Sequence, residues 1–163
     1  MNILAIDLGT HVGYCYNVKD EIHAGTRTLA TPKEVTAWGK ERLDRRKDPR
    51  VERMCELVSG FGTFDAIIFE DVEFVKSRKQ AHLWSALRTA AWLCGHSPVY
   101  ECVATGTLKK FATGMGNADK AIMGAALQAR HPDRWSPGYD DNAVDAIWLH
   151  IWGQHHLGRL RKQ

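Results

Sequence analysis

Asp7 interrupts an apolar run, Ile3-Leu4-Ala5-Ile6, and Leu8-Gly9-Thr10 follows at once. A carboxylate inside a core strand is costly unless something pairs with it or coordinates it. Glu70 stands at the C-terminal end of a second apolar run, Ile67-Ile68-Phe69. Asp141, Asn142 and Asp145 form a third group, and the 141/145 and 142/145 spacings both put side chains on one helical face. Carboxylates gathered from distant parts of a chain repel unless a cation lies among them, and hard oxygen donors select Mg²⁺ or Mn²⁺. Two such ions bridged by an aspartate can activate a water and stabilise the leaving oxygen of a phosphodiester. Each acid alone has a plain structural use. Backbone amides could satisfy Asp7, Glu70 could be an ordinary strand-end acid, and residues 140–145 could only cap a helix. Their joint occurrence in this order points to metal-assisted hydrolysis.

These groups need elements to hold them. Residues 2–9, 13–18 and 22–29 read as strands joined too tightly for anything but an antiparallel meander. Thr31-Pro32-Lys33-Glu34 carries a capping box with proline at the first helical position. That helix is expected to break at Asp48-Pro49 and resume over 51–60. Residues 64–71 are a buried strand, followed by a polar loop over 72–80 and an amphipathic helix over 81–95. There Leu83, Trp84, Leu87, Ala91 and Trp92 recur at helical spacing. Residues 97–106 read as a strand and 117–131 as a helix capped by Asn117. The last helix runs over 140–156, its acidic first turn complementing the helix dipole, with Trp148 and Trp152 expected in the core. The order predicts an α/β fold, a mixed sheet of five strands flanked by helices, with strand ends in the position where such sheets bind ligands.

The 163 residues fit one domain spanning 1–163, and a net charge of +3 permits a polyanionic partner without requiring one. Basic residues cluster at 42–53 and 76–80; the first cluster reads more readily as a solvated helix face than as a grip on duplex arms. Phe74 lies in a basic polar loop with Lys76, Arg78 and Lys79, where an aromatic ring could stack on an unpaired base. Cys15, Cys55, Cys94 and Cys102 have neither zinc-site nor disulfide-framework spacing and are expected to be reduced and mostly buried. Neither a signal peptide nor a membrane-length apolar run is present, so a cytoplasmic protein is expected, without membrane contact. The G-x-x-x-x-G-K-[ST] pattern of a nucleotide-binding loop is absent, which argues against a nucleotide cofactor. The Gly114-Met115-Gly116-Asn117 turn could still present N–H groups to a phosphate.

Four pieces, ILAIDLGTHVGYC, IIFEDVEF, LKKFATGMGNADKAIM and DDNAVDAIWLHIWG, together resemble the RuvC family of Holliday-junction resolvases in the RNase H-like superfamily. They span nearly the whole chain in the family's order. The most specific is the third, in which Lys109, Thr113-Gly114-Met115-Gly116 and Lys120 match the family's two lysines and T-G-x-G turn. The resemblance implies a homodimeric, Mg²⁺-dependent endonuclease with two ions per site, Mn²⁺ as a substitute, and paired nicks in a four-way or otherwise branched DNA. Asp7, Glu70 and Asp145 match three metal-binding acids. For the fourth, a D-x-x-D spacing falls on Asn142 and a D-x-x-x-D spacing on Asp141; Asp141 is taken as the ligand, with the Asn142 carbonyl oxygen as an alternative. Lys120 matches the essential lysine, Lys109 a phosphate-backbone contact, and Phe74 an aromatic that opens the junction centre. The helix over 81–94 would contribute to the dimer. A compact, phage-type member would fit both the length and Asn142, and a phage protein would act in its host's cytoplasm. Competing readings are a YqgF-like nuclease on RNA or on other branched DNA, and an RNase H-like module that grips junctions without cutting. An actin-like ATPase shares the opening D-x-G-T but needs two such domains.

Overall fold

The computed structural model describes residues 1–43, 47–71 and 77–160. Strands β1 (Ile3–Asp7), β2 (His11–Val18) and β3 (Glu21–Thr28) form the antiparallel meander. Helices α1 (Pro32–Glu41) and α2 (Pro49–Gly60) lead to β4 (Ala66–Asp71), which returns parallel to β1. Helix α3 (Arg78–Cys94) crosses to β5 (Tyr100–Ala104), parallel to β4. Helices α4 (Thr105–Thr113) and α5 (Lys120–Arg130), a 3-10 turn (Pro132–Arg134) and α6 (Asp141–Leu160) complete the chain. The strand order is β3-β2-β1-β4-β5, the mixed five-stranded sheet expected.

Two-residue periodicity sorts the strands between two cores. Ile3, Ala5, Ala66 and Ile68 pack with α4, α5 and α6 on one face. Leu4, Ile6, Ile67 and Phe69 pack with α2 and α3 on the other. The same alternation assigns Asp7 and Glu70 to the α6 face. The acids thus follow from the strand period, once α6 is known to cover that side.

Local signals explain most boundaries. The capping box at the start of α1 forms as expected, with Thr31 Oγ1 accepting from Glu34 N and the Glu34 carboxylate accepting from Thr31 N. The break at Asp48-Pro49 is real, and Asp48 caps α2. Several expectations need correction. Ser77 caps α3, so Arg78 and Lys79 lie in its first turn rather than in a loop. Asp119, not Asn117, caps α5: its Oδ1 accepts from Ile122 N at 2.9 Å, the three-residue reach of an N-cap. Helix α4 is a separate element, short and without a side-chain cap, and its two buried positions, Leu108 and Ala112, are too few to show a period. Trp148 is fully buried, but Trp152 is half-buried and stacks on His156, while Trp92 is 44% exposed. The four cysteines are free thiols, but only Cys15 is buried and Cys102 is exposed. Among the described residues no helix is long and apolar enough to cross a membrane.

In the basic 42–53 segment, Arg50 is 5% exposed, paired with Asp48, and donates to Thr10 Oγ1 at 3.1 Å. Arg53 donates to the Leu29 carbonyl and to Glu34. Arg50 is thus held inside the fold, while Arg53, its side chain 40% exposed, and the exposed Lys47–Glu52 pair keep the solvated character expected of the segment. Residues 44–46 lie outside the described residues.

Candidate active site

The sheet register sets the candidate groups in a row. Asp7 pairs with Gly13 of β2, and Gly13 pairs with Thr26 of β3. On the other flank Ile6 stands opposite Phe69, which brings Glu70 beside Asp7. Thr26, Gly13, Asp7 and Glu70 therefore cross four strands on the face that α6 covers.

Helix α6 meets this row directly. A methyl group at Gly13 would lie 1.9 Å from the Asn142 carbonyl oxygen, so only the lack of a side chain lets the helix come so close. Asp140 caps the helix, its Oδ1 accepting from Ala143 N at 3.0 Å and from Thr26 Oγ1 at 2.5 Å. One turn on, Asp145 reaches the other acids. Asp7, Glu70 and Asp145 are each half-buried. Burial, then the charges of Asp145 and Glu70, hold the Asp7 carboxyl well above the usual carboxylate range, with Lys120 pulling it back in part. Burial and Glu70 push Asp145 up to about 6, against the pull of Lys120 and Lys109. Burial also raises Glu70, opposed by a hydrogen bond from Thr105 and the charge of Lys109. Three carboxylates thus feel one another across a shared space.

Two lysines from the T-G-x-G region face them. Lys120 opens α5, and its Nζ lies 3.2 Å from Asp141 Oδ2. Partial burial works against its charge, but the bond to Asp141 and the charges of Asp141, Asp145 and Asp7 raise its pKa. Lys109 projects from α4, half-buried. Arg130 secures this region: it donates to the Ala112 and Phe111 carbonyls at 2.7 and 3.3 Å, capping α4, with its guanidinium 5.4 Å from the Trp148 ring centre. Gly114 ends α4 at φ +83°, which favours glycine. Its N–H donates to the Lys110 carbonyl, and the Met115 N–H donates to Thr113 Oγ1. Those two N–H groups secure the helix end and are not open to a phosphate.

The fourth-acid positions divide. Asp141 is exposed and bonded to Lys120, while the Asn142 amide lies 3.5 Å from Asp140 Oδ2, toward β3. Among the described residues no three His, Cys, Asp or Glu side chains already close on one point as a metal shell would. The donor set nevertheless suits a divalent cation: three hard carboxylates, half-buried, whose mutual repulsion a cation would relieve. Among the remaining expected residues, Arg78 and Lys79 stand at the start of α3, just after β4 and its Glu70. Phe74 and Lys76 lie outside the described residues. Thr26, Gly13, Asp140 and Thr105 also shape the site. Only Asp140, within the acidic run, carried a sequence signal, and that signal was for capping; the other three depend on strand register and on contacts far apart in the chain.

No protein-family model matches the sequence, nor does any curated protein. Solved structures do. The chain superposes on RuvC of Thermus thermophilus with TM-score 0.57 and 22% identity, over 97% of both chains. It matches the same organism's RuvC in complex with a Holliday junction substrate with TM-score 0.58 and 23% identity, over 96% of both chains. The yeast mitochondrial Holliday junction resolvase Ydc2 matches with TM-score 0.55 and 11% identity, over 90% of this chain and 75% of that one. The resemblance seen in the motifs extends to the fold: the chain shares the architecture of these solved structures, consistent with an RNase H-like fold.

Proposed function

We propose that this protein is a metal-dependent endonuclease that resolves four-way DNA junctions by paired nicking, the 163 residues acting as one nuclease domain within a homodimer. The observation that carries this reading is the convergence of Asp7, Glu70 and Asp145, with Lys120 beside them, in a fold shared with solved Holliday junction resolvases. Asp7, Glu70 and Asp145 would hold Mg²⁺, or Mn²⁺ in its place, with Asp141 or the Asn142 carbonyl oxygen as the fourth ligand. The bound ions would supply a nucleophilic water at neutral pH and relieve charge on the leaving oxygen. Lys120 stands where negative charge would develop on the phosphoryl oxygens, and a preorganised cation there lowers the barrier. Lys109, Arg78, Lys79 and Lys76 would meet the phosphate backbone, and Phe74 the junction centre.

The test uses end-labelled four-way junctions, linear duplex and an RNA–DNA hybrid, with Mg²⁺ or EDTA, for wild type and Asp7→Asn. Symmetric nicks in the junction that require both metal and Asp7 are expected, with junction binding retained in the variant and its cleavage reduced by about 10³-fold or more. Tight binding without cutting under any divalent metal would make the protein a junction-binding module. Cutting the hybrid alone would move it to another branch of the same fold.

A further inference from the structure

The start of α6 lies over the row Thr26-Gly13-Asp7-Glu70 and meets it at two points, beside the Lys120–Asp141 pair that ties it to α5. Gly13 leaves the room for the Asn142 backbone. Thr26 supplies the attachment, its hydroxyl donating to Asp140 Oδ1, the oxygen that also accepts the Ala143 N–H. The Asp140 carbonyl accepts from Val144 N at 3.1 Å, so the bonded backbone continues to the residue before Asp145. Among the described residues, the other side-chain hydrogen bond from α6 to the sheet joins His150 to Asn17, more than a turn beyond Asp145. A hydrogen bond to a carboxylate is about twice as strong as a neutral one, which suits an attachment at the helix start.

We propose that Thr26 is a positioning residue: through Asp140 it seats the first turn of α6 and so holds Asp145 against Asp7 and Glu70. This inference rests on the reading of those three residues as the catalytic acids. Thr26 touches none of them and acts through the helix.

Thr26→Val removes the hydroxyl and keeps a β-branched side chain suited to a strand, and Thr26→Ser restores the donor. Amide hydrogen exchange at Ala143 and Val144, single-turnover junction cleavage at saturating Mg²⁺, and junction affinity in EDTA are measured for all three proteins. In Thr26→Val, exchange is expected to be at least about 10-fold faster and the cleavage rate about 10-fold lower, the scale on which sub-ångström misplacement acts. Junction affinity is expected to stay within about 2-fold, and Thr26→Ser to restore both other readouts. Unchanged exchange would overturn the proposal. Faster exchange with an unchanged cleavage rate would also overturn it, leaving Thr26 a purely structural role. Should wild type cut no junction, the nuclease reading fails separately. Mn²⁺ affinity by calorimetry then replaces the rate: weaker binding in Thr26→Val, restored in Thr26→Ser, supports the seating role, and equal binding refutes it.

Discussion

Asp7 is held beside Asp145 and Glu70 at a cost in free energy, because burial and both neighbouring charges disfavour its ionised form. An asparagine there keeps the shape and removes one of three repelling charges. Asp7→Asn should therefore be more stable than wild type in EDTA at pH 7, by about 1 kcal/mol. Thermal unfolding with and without Mg²⁺ checks this. The variant should melt higher in EDTA, and Mg²⁺ should raise the wild-type midpoint more than the variant's. A variant that melts lower in EDTA would mean that Asp7 is satisfied by the protein and not poised for a cation. Lys120 differs in kind, since it is exposed and paired with an exposed partner, an arrangement worth little to stability. Lys120→Ala should leave the melting midpoint nearly unchanged and lower the single-turnover cleavage rate by about 10²-fold. A large loss of junction affinity at normal turnover would make it a docking residue instead. At this scale the sequence was informative where a residue breaks its surroundings: a carboxylate closing an apolar strand can be seen without a structure. The Lys120–Asp141 pair could not be seen, because nothing in either residue's neighbourhood indicates which of several acids the lysine meets.

Helix α6 is the element on which the site depends, and Gly13 decides how near it comes. An added methyl group would sit 1.9 Å from the Asn142 carbonyl oxygen, which is backbone and cannot swing aside. In Gly13→Ala the helix start must retreat, taking Asp145 with it. The overpacking should cost about 1–3 kcal/mol, and a displacement near 1 Å should lower cleavage by about 10²-fold. Gly124→Ala, inside α5 with nothing within 4 Å of the new methyl group, is the control. It should be neutral or stabilising, by up to about 1 kcal/mol. Chemical unfolding and the junction assay on both variants make the comparison, and Gly13→Ala with wild-type values would show that the close approach is not needed. The Thr31-Pro32-Glu34 start of α1 was legible because a capping box is complete within four residues. Helix α4 was not, since it buries only Leu108 and Ala112 and Arg130, eighteen positions on from Ala112, caps its end. The need for glycine at position 13 was equally hidden: the helix it admits begins more than a hundred residues later.

At the scale of the whole molecule, a buried polar contact adds to the apolar packing between the last helix and the first strands. His150, fully buried on α6, lies with Nε2 3.0 Å from Asn17 Oδ1 and Nδ1 3.4 Å from Arg134 Nη1. Asn17 in turn accepts from Ile3 N and donates to the carbonyls of Met1 and Lys19, so the imidazole fastens the last helix to the first strand. Arginine can only donate, and Asn17 Oδ1 can only accept, which assigns the neutral tautomer with its proton on Nε2. Burial, with the Arg134 charge adding to it, lowers the His150 pKa to about 4. Its folded value lies below the unfolded one near 6.5, so the unfolded chain binds the extra proton between those values. The contribution is present in full above pH 6.5 and is lost as pH falls toward 4, by about 3 kcal/mol in all. Asp7, Glu70 and Asp145, whose raised values work in the opposite sense, obscure this in the wild type alone. They are common to wild type and His150→Gln, however, so the difference between the two proteins isolates the histidine. Urea unfolding from pH 7 to pH 4 should show wild type the more stable at neutral pH and the gap closing steadily through pH 6 and 5. A gap independent of pH would mean that His150 keeps an ordinary pKa, and that its contact with the first strands is not the dry, neutral one described.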